Sequence, residues 1–188
     1  VTGGGSIAST VFTNVSGIEN LKLNASGADT LQFTDAASLT TLSNKFTTID
    51  AGTTGTDTIT FSSAVTATDI DFSKYSNFET LTFSDANNDT LTFTDATAFN
   101  SLTSKFSTTT NGINGGSSTS DKLIFTNAVT ADLDMSKLSG FEVLTFGNTA
   151  NTVTFGTDEN GAGIRTVNLG NGGDSITVKN ATYVISAL

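Results

Sequence analysis

The chain holds 188 residues, with 8 Lys and Arg against 18 Asp and Glu for a formal net charge of −10. That balance excludes nucleic-acid binding by phosphate neutralisation, which needs clustered cations. The absence of Cys and His excludes disulfides, thiolate or imidazole metal sites and any Ser-His or Cys-His catalytic pair within these residues.

The length suffices for one domain with a sizeable core. Thr and Ser abound, Thr suits pleated surfaces through its branched Cβ, and there is no Pro. No apolar run approaches the roughly 20 residues of a membrane helix, so membrane insertion is not expected. No basic segment followed by an apolar core opens the chain, and the start at Val1 reads as that of a fragment of something longer.

Residues 1–17 open with Gly3-Gly4-Gly5 and continue into Val11 to Gly17. They read as the end of a preceding repeat, because Phe12, Val15 and Ile18 match Phe72, Tyr75 and Phe78, and again Met135, Leu138 and Phe141. Two full repeats follow, 18–77 and 78–140, and 141–188 is a truncated third. The repeats begin with two alternating runs: Ile18–Leu23 and Thr30–Phe33, then Phe78–Phe83 and Thr90–Phe93, then Phe141–Phe146 and Thr152–Phe155. Period-two alternation predicts strands with one face buried. The joining segments 24–29, 84–89 and 147–151 are rich in Asn, Asp and Gly, which predicts turns.

Next come Asp35 to Phe46 and Asp95 to Phe106, where apolar residues are spaced three and four apart. That spacing predicts two short helices of two or three turns with Asp35 and Asp95 as N-caps. Gly-rich connections (51–56 and 111–120) lead to strands at Asp57–Phe61 and Asp121–Phe125, then through 64–67 and 128–131 into Asp69–Tyr75 and Asp132–Leu138. The third repeat replaces its helix with 156–163 and adds strands around 166–169, 174–178 and 181–185.

The expected fold is all-β with short helices, a parallel β-solenoid or β-helix of roughly 60-residue repeats, with a β-sandwich as the alternative. Leu21, Leu23, Leu31, Phe33, Ile59, Phe61, Leu81, Phe83, Leu91, Phe93, Leu123, Phe125, Leu144, Phe146, Val153 and Phe155 are expected to point into one continuous core, with equivalent residues of successive repeats stacked.

The sharpest short match is Leu169-Gly170-Asn171-Gly172-Gly173-Asp174-Ser175-Ile176, which fits the calcium-binding nonapeptide G-G-x-G-x-D-x-apolar-x apart from Leu169. Backbone carbonyls of Gly170 and Gly172, with Asn171 and Asp174, would supply oxygens suited to a hard cation such as Ca²⁺; a plain turn between strands is the other reading. Asp69 with Asp71, and Asp132 with Asp134, each sit on one face of an extended segment. They are either further Ca²⁺ ligands or a solvated face with Lys74 and Lys137 as countercharges. Glu19, Glu79 and Glu142 recur beside the first buried residue of each repeat, where they are either ligands or, the preferred reading, acceptors of backbone N–H bonds at the start of a strand. A catalytic constellation is missing: the Asp-x-Asp pair recurs in successive repeats, which suits structural duplication better than glycoside cleavage.

Val15 to Leu21, Leu138 to Leu144 and Gly170 to Ile176 resemble the phrases of RTX-type proteins. The Thr- and Ser-rich repeats, acidic charge and absent Cys are similar to type I-secreted surface-layer proteins and giant adhesins of Gram-negative bacteria. The resemblance implies a Ca²⁺-stabilised β-solenoid outside the cell, at the cell surface, assembling with itself and with neighbouring repeats of a longer chain. A cell-surface glycan is a further partner it implies. Tandem nonapeptides, which that family carries, are missing here. A non-enzymatic structural module is therefore the expectation, with a carbohydrate-binding or carbohydrate-active β-helix as the alternative.

Overall fold

The computed structural model describes residues 5–23, 27–106, 112–155 and 161–179. In chain order, β1 (Ser6–Ala8) runs into a short 3₁₀ helix (Ser9–Phe12), followed by β2 (Asn20–Lys22), β3 (Thr30–Phe33) and α1 (Ala36–Ser43). Then come β4 (Thr48–Asp50), β5 (Thr58–Phe61), β6 (Thr66–Thr68), β7 (Tyr75–Ser76), β8 (Thr80–Thr82), β9 (Thr90–Phe93) and α2 (Ala96–Thr103). The chain continues through β10 (Ile113–Asn114), β11 (Lys122–Phe125), β12 (Leu138–Ser139) and β13 (Val143–Phe146). It closes with β14 (Thr152–Phe155), β15 (Thr166–Asn168) and β16 (Ser175–Val178).

Both helices form where the spacing places them. Asp35 accepts the Ser38 N–H at 2.8 Å while the Ser38 hydroxyl accepts from the Asp35 N–H, a reciprocal capping box. Asp95 accepts from Thr97 and Ala98. At the other end, Lys74 donates to the Ser43 carbonyl and Lys137 to the Thr103 carbonyl. Each lysine thus serves the C-terminus of the helix earlier in its own repeat, where orphan carbonyls collect.

Every strand pairing among the described residues is parallel. Parallel neighbours need a crossover each time, so consecutive strands cannot form the hairpins of the sandwich alternative. The molecule is mostly β with parallel sheets, an arrangement consistent with a β-solenoid. Four sheets form: β1-β3-β5-β8-β10-β12, β6-β9-β11-β13-β15, β2-β4-β7 and β14-β16.

The chain returns to a given sheet well before 60 residues have passed. Thr30 pairs with Thr58 and Thr58 with Thr80, while Thr90 pairs with Lys122 and Lys122 with Val143. A sixty-residue repeat therefore contains more than one pass, and its equivalent strands lie in different sheets: β3 belongs to the first sheet and β9 to the second. The expected stacking of repeat-equivalent residues is corrected accordingly. Phe33 stacks not on Phe93 but on Phe61 (5.7 Å between ring centroids), and Phe61 on Phe83 (5.4 Å). Phe93, Phe125 and Phe146 form the second stack at 5.5 and 5.6 Å.

All sixteen expected core residues belong to or pack against one buried cluster; only Leu21 among them is half-buried. Phe83 is 2% exposed, sandwiched between Phe61 and, edge-on at 6.1 Å, Phe141. Truncating it to Ala leaves a cavity in both layers, and urea unfolding should show a loss of about 3–5 kcal/mol. Val178→Ala, at a side chain 42% exposed on the last described strand, should cost less than about 0.5 kcal/mol.

Candidate functional site

The passes are joined by carboxylates placed one residue before a strand. Asp29 offers its N–H to Asp57 Oδ1 at 2.6 Å, and Asp57 offers its own to Glu79 Oε2 at 2.7 Å. One sheet further on, Val65 donates to Asp89 Oδ1 (2.5 Å), Asp89 to Asp121 Oδ1 (2.6 Å) and Asp121 to Glu142 Oε2 (3.0 Å). A third ladder begins with Val129 donating to Asn151 Oδ1 (3.0 Å) and Asn151 to Asp174 Oδ1 (2.9 Å). Partners in these bonds lie 21 to 32 residues apart, one pass of the chain.

Glu79 and Glu142 thus accept backbone N–H bonds at strand starts, as their position predicts. The Asp members went unrecognised, although a signal was present. Asp29, Asp57, Glu79, Asp89, Asp121, Glu142, Asn151 and Asp174 each stand two residues before an inward apolar residue: Leu31, Ile59, Leu81, Leu91, Leu123, Leu144, Val153 and Ile176. Alignment at sixty residues hides this shorter rhythm.

The choice between Asp and Glu follows the backbone. Where an Asp leads the strand, a single N–H returns to the previous pass: Thr58 to the Asp29 carbonyl, Lys122 to that of Asp89. Where a Glu leads, two do: Glu79 and Thr80 both donate to the Asp57 carbonyl, Glu142 and Val143 both to that of Asp121. The pairing register is the same in both cases, Thr30 with Thr58 and Thr58 with Thr80, so the difference lies in the backbone just ahead of the strand, where the extra methylene of Glu lets its carboxylate reach the same N–H.

Calcium ligation needs several oxygens converging on one point, and several of the candidate carboxylates are engaged in hydrogen bonds within the protein. Asp174 Oδ1 takes both the N–H and the Nδ2 of Asn151. The 170–173 turn lies against the 147–151 turn of the preceding pass: the Asn171 N–H donates to Asn148 Oδ1 at 3.0 Å. Gly170 has φ +77°, and a Cβ there would sit 2.8 Å from the Gly147 carbonyl; one on Gly172 would collide with the Thr149 carbonyl. Close backbone approach accounts for these glycines.

Asp69, at φ +45°, accepts from the N–H and hydroxyl of Thr94. Asp71 and Asp134 fold back on Ser73 and Ser136; those bonds, with nearby lysines, hold both carboxyls below the usual range. Asp132 pairs with Lys179 at 3.1 Å. Asp69 and Asp71 border a groove of about 360 Å³ beside α2, along with Ser101, Ser104 and Lys105. Among the described residues, no three or more Asp or Glu side chains stand close enough to share an ion.

Comparison with protein-family profiles, curated proteins and solved structures returned no match.

Asp89 is 0% exposed, as are Asp29 and Asp121, and among the described residues its Oδ2 has no hydrogen-bond partner. Burial pushes its carboxyl up to about 6, with the Asp121 charge adding to the rise and the Val65 N–H opposing it. The ionised form is thus the disfavoured one in the folded chain. Its contribution to stability is full below the ordinary carboxylate range and is lost as pH rises through about 6. Asp89→Asn should remove that dependence, since Asn151 fills the equivalent place and donates through Nδ2 to Asp174 at 2.8 Å. Between pH 4 and pH 7, thermal unfolding should show wild type losing about 2 kcal/mol relative to the variant. A constant difference across that range would mean that Asp89 does not titrate there.

Proposed function

We propose that this chain is a non-enzymatic structural module: a parallel β-solenoid segment of an extracellular surface-layer or adhesin protein that assembles with copies of itself. The observation that carries the reading is the commitment of its acidic side chains. Seven of the eight strand-leading positions named above are Asp or Glu, and along the ladders their oxygens meet backbone N–H groups of the neighbouring pass. Such groups hold a scaffold together and are not free for chemistry. Parallel edges left unpaired among the described residues at β1, β2, β15 and β16, with Val11 and Ile18 exposed near one end and Val178 near the other, favour association.

The groove beside α2 supports a second reading, a carbohydrate-binding β-helix. Against it, no aromatic side chain among the described residues is exposed, so a sugar ring finds no stacking face.

Assembly is tested by sedimentation and electron microscopy of the purified chain at rising concentration. Oligomers or filaments are the expected result; a strict monomer with and without Ca²⁺ would overturn the assembling role. The calcium half of the reading has a separate test. If divalent ions act only by relieving the −10 charge, Ca²⁺ and Mg²⁺ should raise the melting temperature alike. A rise seen only with Ca²⁺, and abolished by Asp174→Ala, would instead establish a selective site that stabilises the folded form.

A further inference from the structure

The two ends of the molecule are complementary pieces of one sheet. The first sheet contains, in order, β3, β5, β8, β10 and β12. Its leading residues for β3, β5 and β8 are Asp29, Asp57 and Glu79, joined by the ladder bonds. The second sheet repeats this order with β9, β11 and β13, led by Asp89, Asp121 and Glu142. Each ladder therefore runs Asp, Asp, Glu.

Among the described residues the third ladder has Asn151 before β14 and Asp174 before β16, and β16 is the edge of a two-stranded sheet. Among the described residues, the Asp174 N–H meets no carboxylate. The missing member is a Glu-led strand, and one stands unused at the opposite end. Glu19 leads β2, and β2 is the edge of the β2-β4-β7 sheet. Its carbonyl already accepts from Thr47 and Thr48, as that of Glu142 does from Arg165 and Thr166, so its backbone occupies the Glu position. Its side chain is exposed and receives no backbone N–H among the described residues.

We infer that a second copy of this chain docks head to tail, its β2 pairing in parallel with β16 so that its Glu19 carboxylate accepts the Asp174 N–H. The inference rests on the self-assembling reading above and specifies its interface. Joining β14-β16 to β2-β4-β7 of the next copy reproduces the strand order β3-β5-β8-β10-β12 of the first sheet. Register follows from Thr58 with Thr80 and Lys122 with Val143: Ser175 faces Asn20, and Ile176 faces Leu21. Burial agrees. Leu21 and Ile176 are only half-buried, whereas Leu81, Leu144, Ile59 and Leu123 in the matching positions are 0% exposed. Ile18 is 51% exposed, against 4% for Phe78 and 0% for Phe141. A contact between unlike surfaces does not close on itself, so it propagates as an open filament.

The test uses the full chain, which contains no Cys. Asn20→Cys and Ser175→Cys chains are mixed and oxidised, against Asn20→Cys mixed with Thr177→Cys. The internal counterpart of the first pair, Thr58 and Thr80, brings its γ-oxygens to 2.6 Å, so the in-register mixture should form a mixed disulfide dimer and the shifted one should not. In parallel, Glu19→Lys should weaken self-association by at least about tenfold with the melting temperature unchanged. Asp85→Lys, the same charge change at an exposed turn, should leave association intact. If copies associate but both mixtures link equally and Glu19→Lys associates like wild type, this interface is wrong while the assembling role stands. If wild type never associates, both fall.

Discussion

The structure depends on one hydrogen bond made repeatedly, from a backbone N–H at the start of a strand to a carboxylate one pass away. In a parallel ladder the residue ahead of the strand has no regular partner for its N–H, and here it lies beside the core. Asp29, Asp57, Asp89 and Asp121 are all 1% exposed or less. An unmet N–H at such depth costs roughly 1–3 kcal/mol, and an ionised acceptor gives a shorter, stronger bond than a neutral one. The ladders therefore do for the strand starts what capping residues do for helices.

That device has a cost, which sets its limits. Stacked carboxylates repel: burial raises the Asp57 carboxyl, and Glu79 and Asp29 above and below add to the rise. At Asp89 the same stacking leaves one oxygen without a partner. Asn151 shows the neutral solution, since its amide accepts from Val129 and donates to Asp174 and to the Thr149 carbonyl. The ladder position demands an acceptor with the right reach, and charge is one way of supplying it.

Alternation of Leu, Ile and Phe with Thr made the inward face plain, because a strand buried on one side must alternate. Asp35 and Asp95 were readable as caps because a short side-chain acceptor ahead of an apolar i, i+3 pattern has few other uses. The pass length was not readable. Similarity between 18–77 and 78–140 is strongest at sixty residues, yet the ladders connect residues 21 to 32 apart. Asp57 and Asp121 were read only as the first residues of strands, because nothing in a single strand shows that its leading carboxylate meets an N–H of the neighbouring pass. The Gly170 to Asp174 turn matched a metal-binding pattern for a related reason: close backbone approach and ion ligation both call for glycine followed by Asp. Expected strand 181–185 lies outside the described residues.

The third repeat separates what fixes the register from what fills the space. Lys122 returns to Thr90 by way of α2, a pass of 32 residues between the ladder groups of Asp89 and Asp121. Between Asn151 and Asp174 the pass is 23 residues; the helix expected to be lost here is not wholly absent, since Gly161 and Ala162 are helical. Even so, β14 and β16 pair with Thr152 opposite Ser175 and Val153 opposite Ile176, the same alignment as Thr90 with Lys122 and Leu91 with Leu123. A shorter connection changes the length of the pass and leaves the strand alignment where it was. What persists at the eight strand starts joined by the ladders is the polar group ahead of the strand and the apolar residue two places after it. Those two residues set the register between strands, and the helices pack around an alignment already determined.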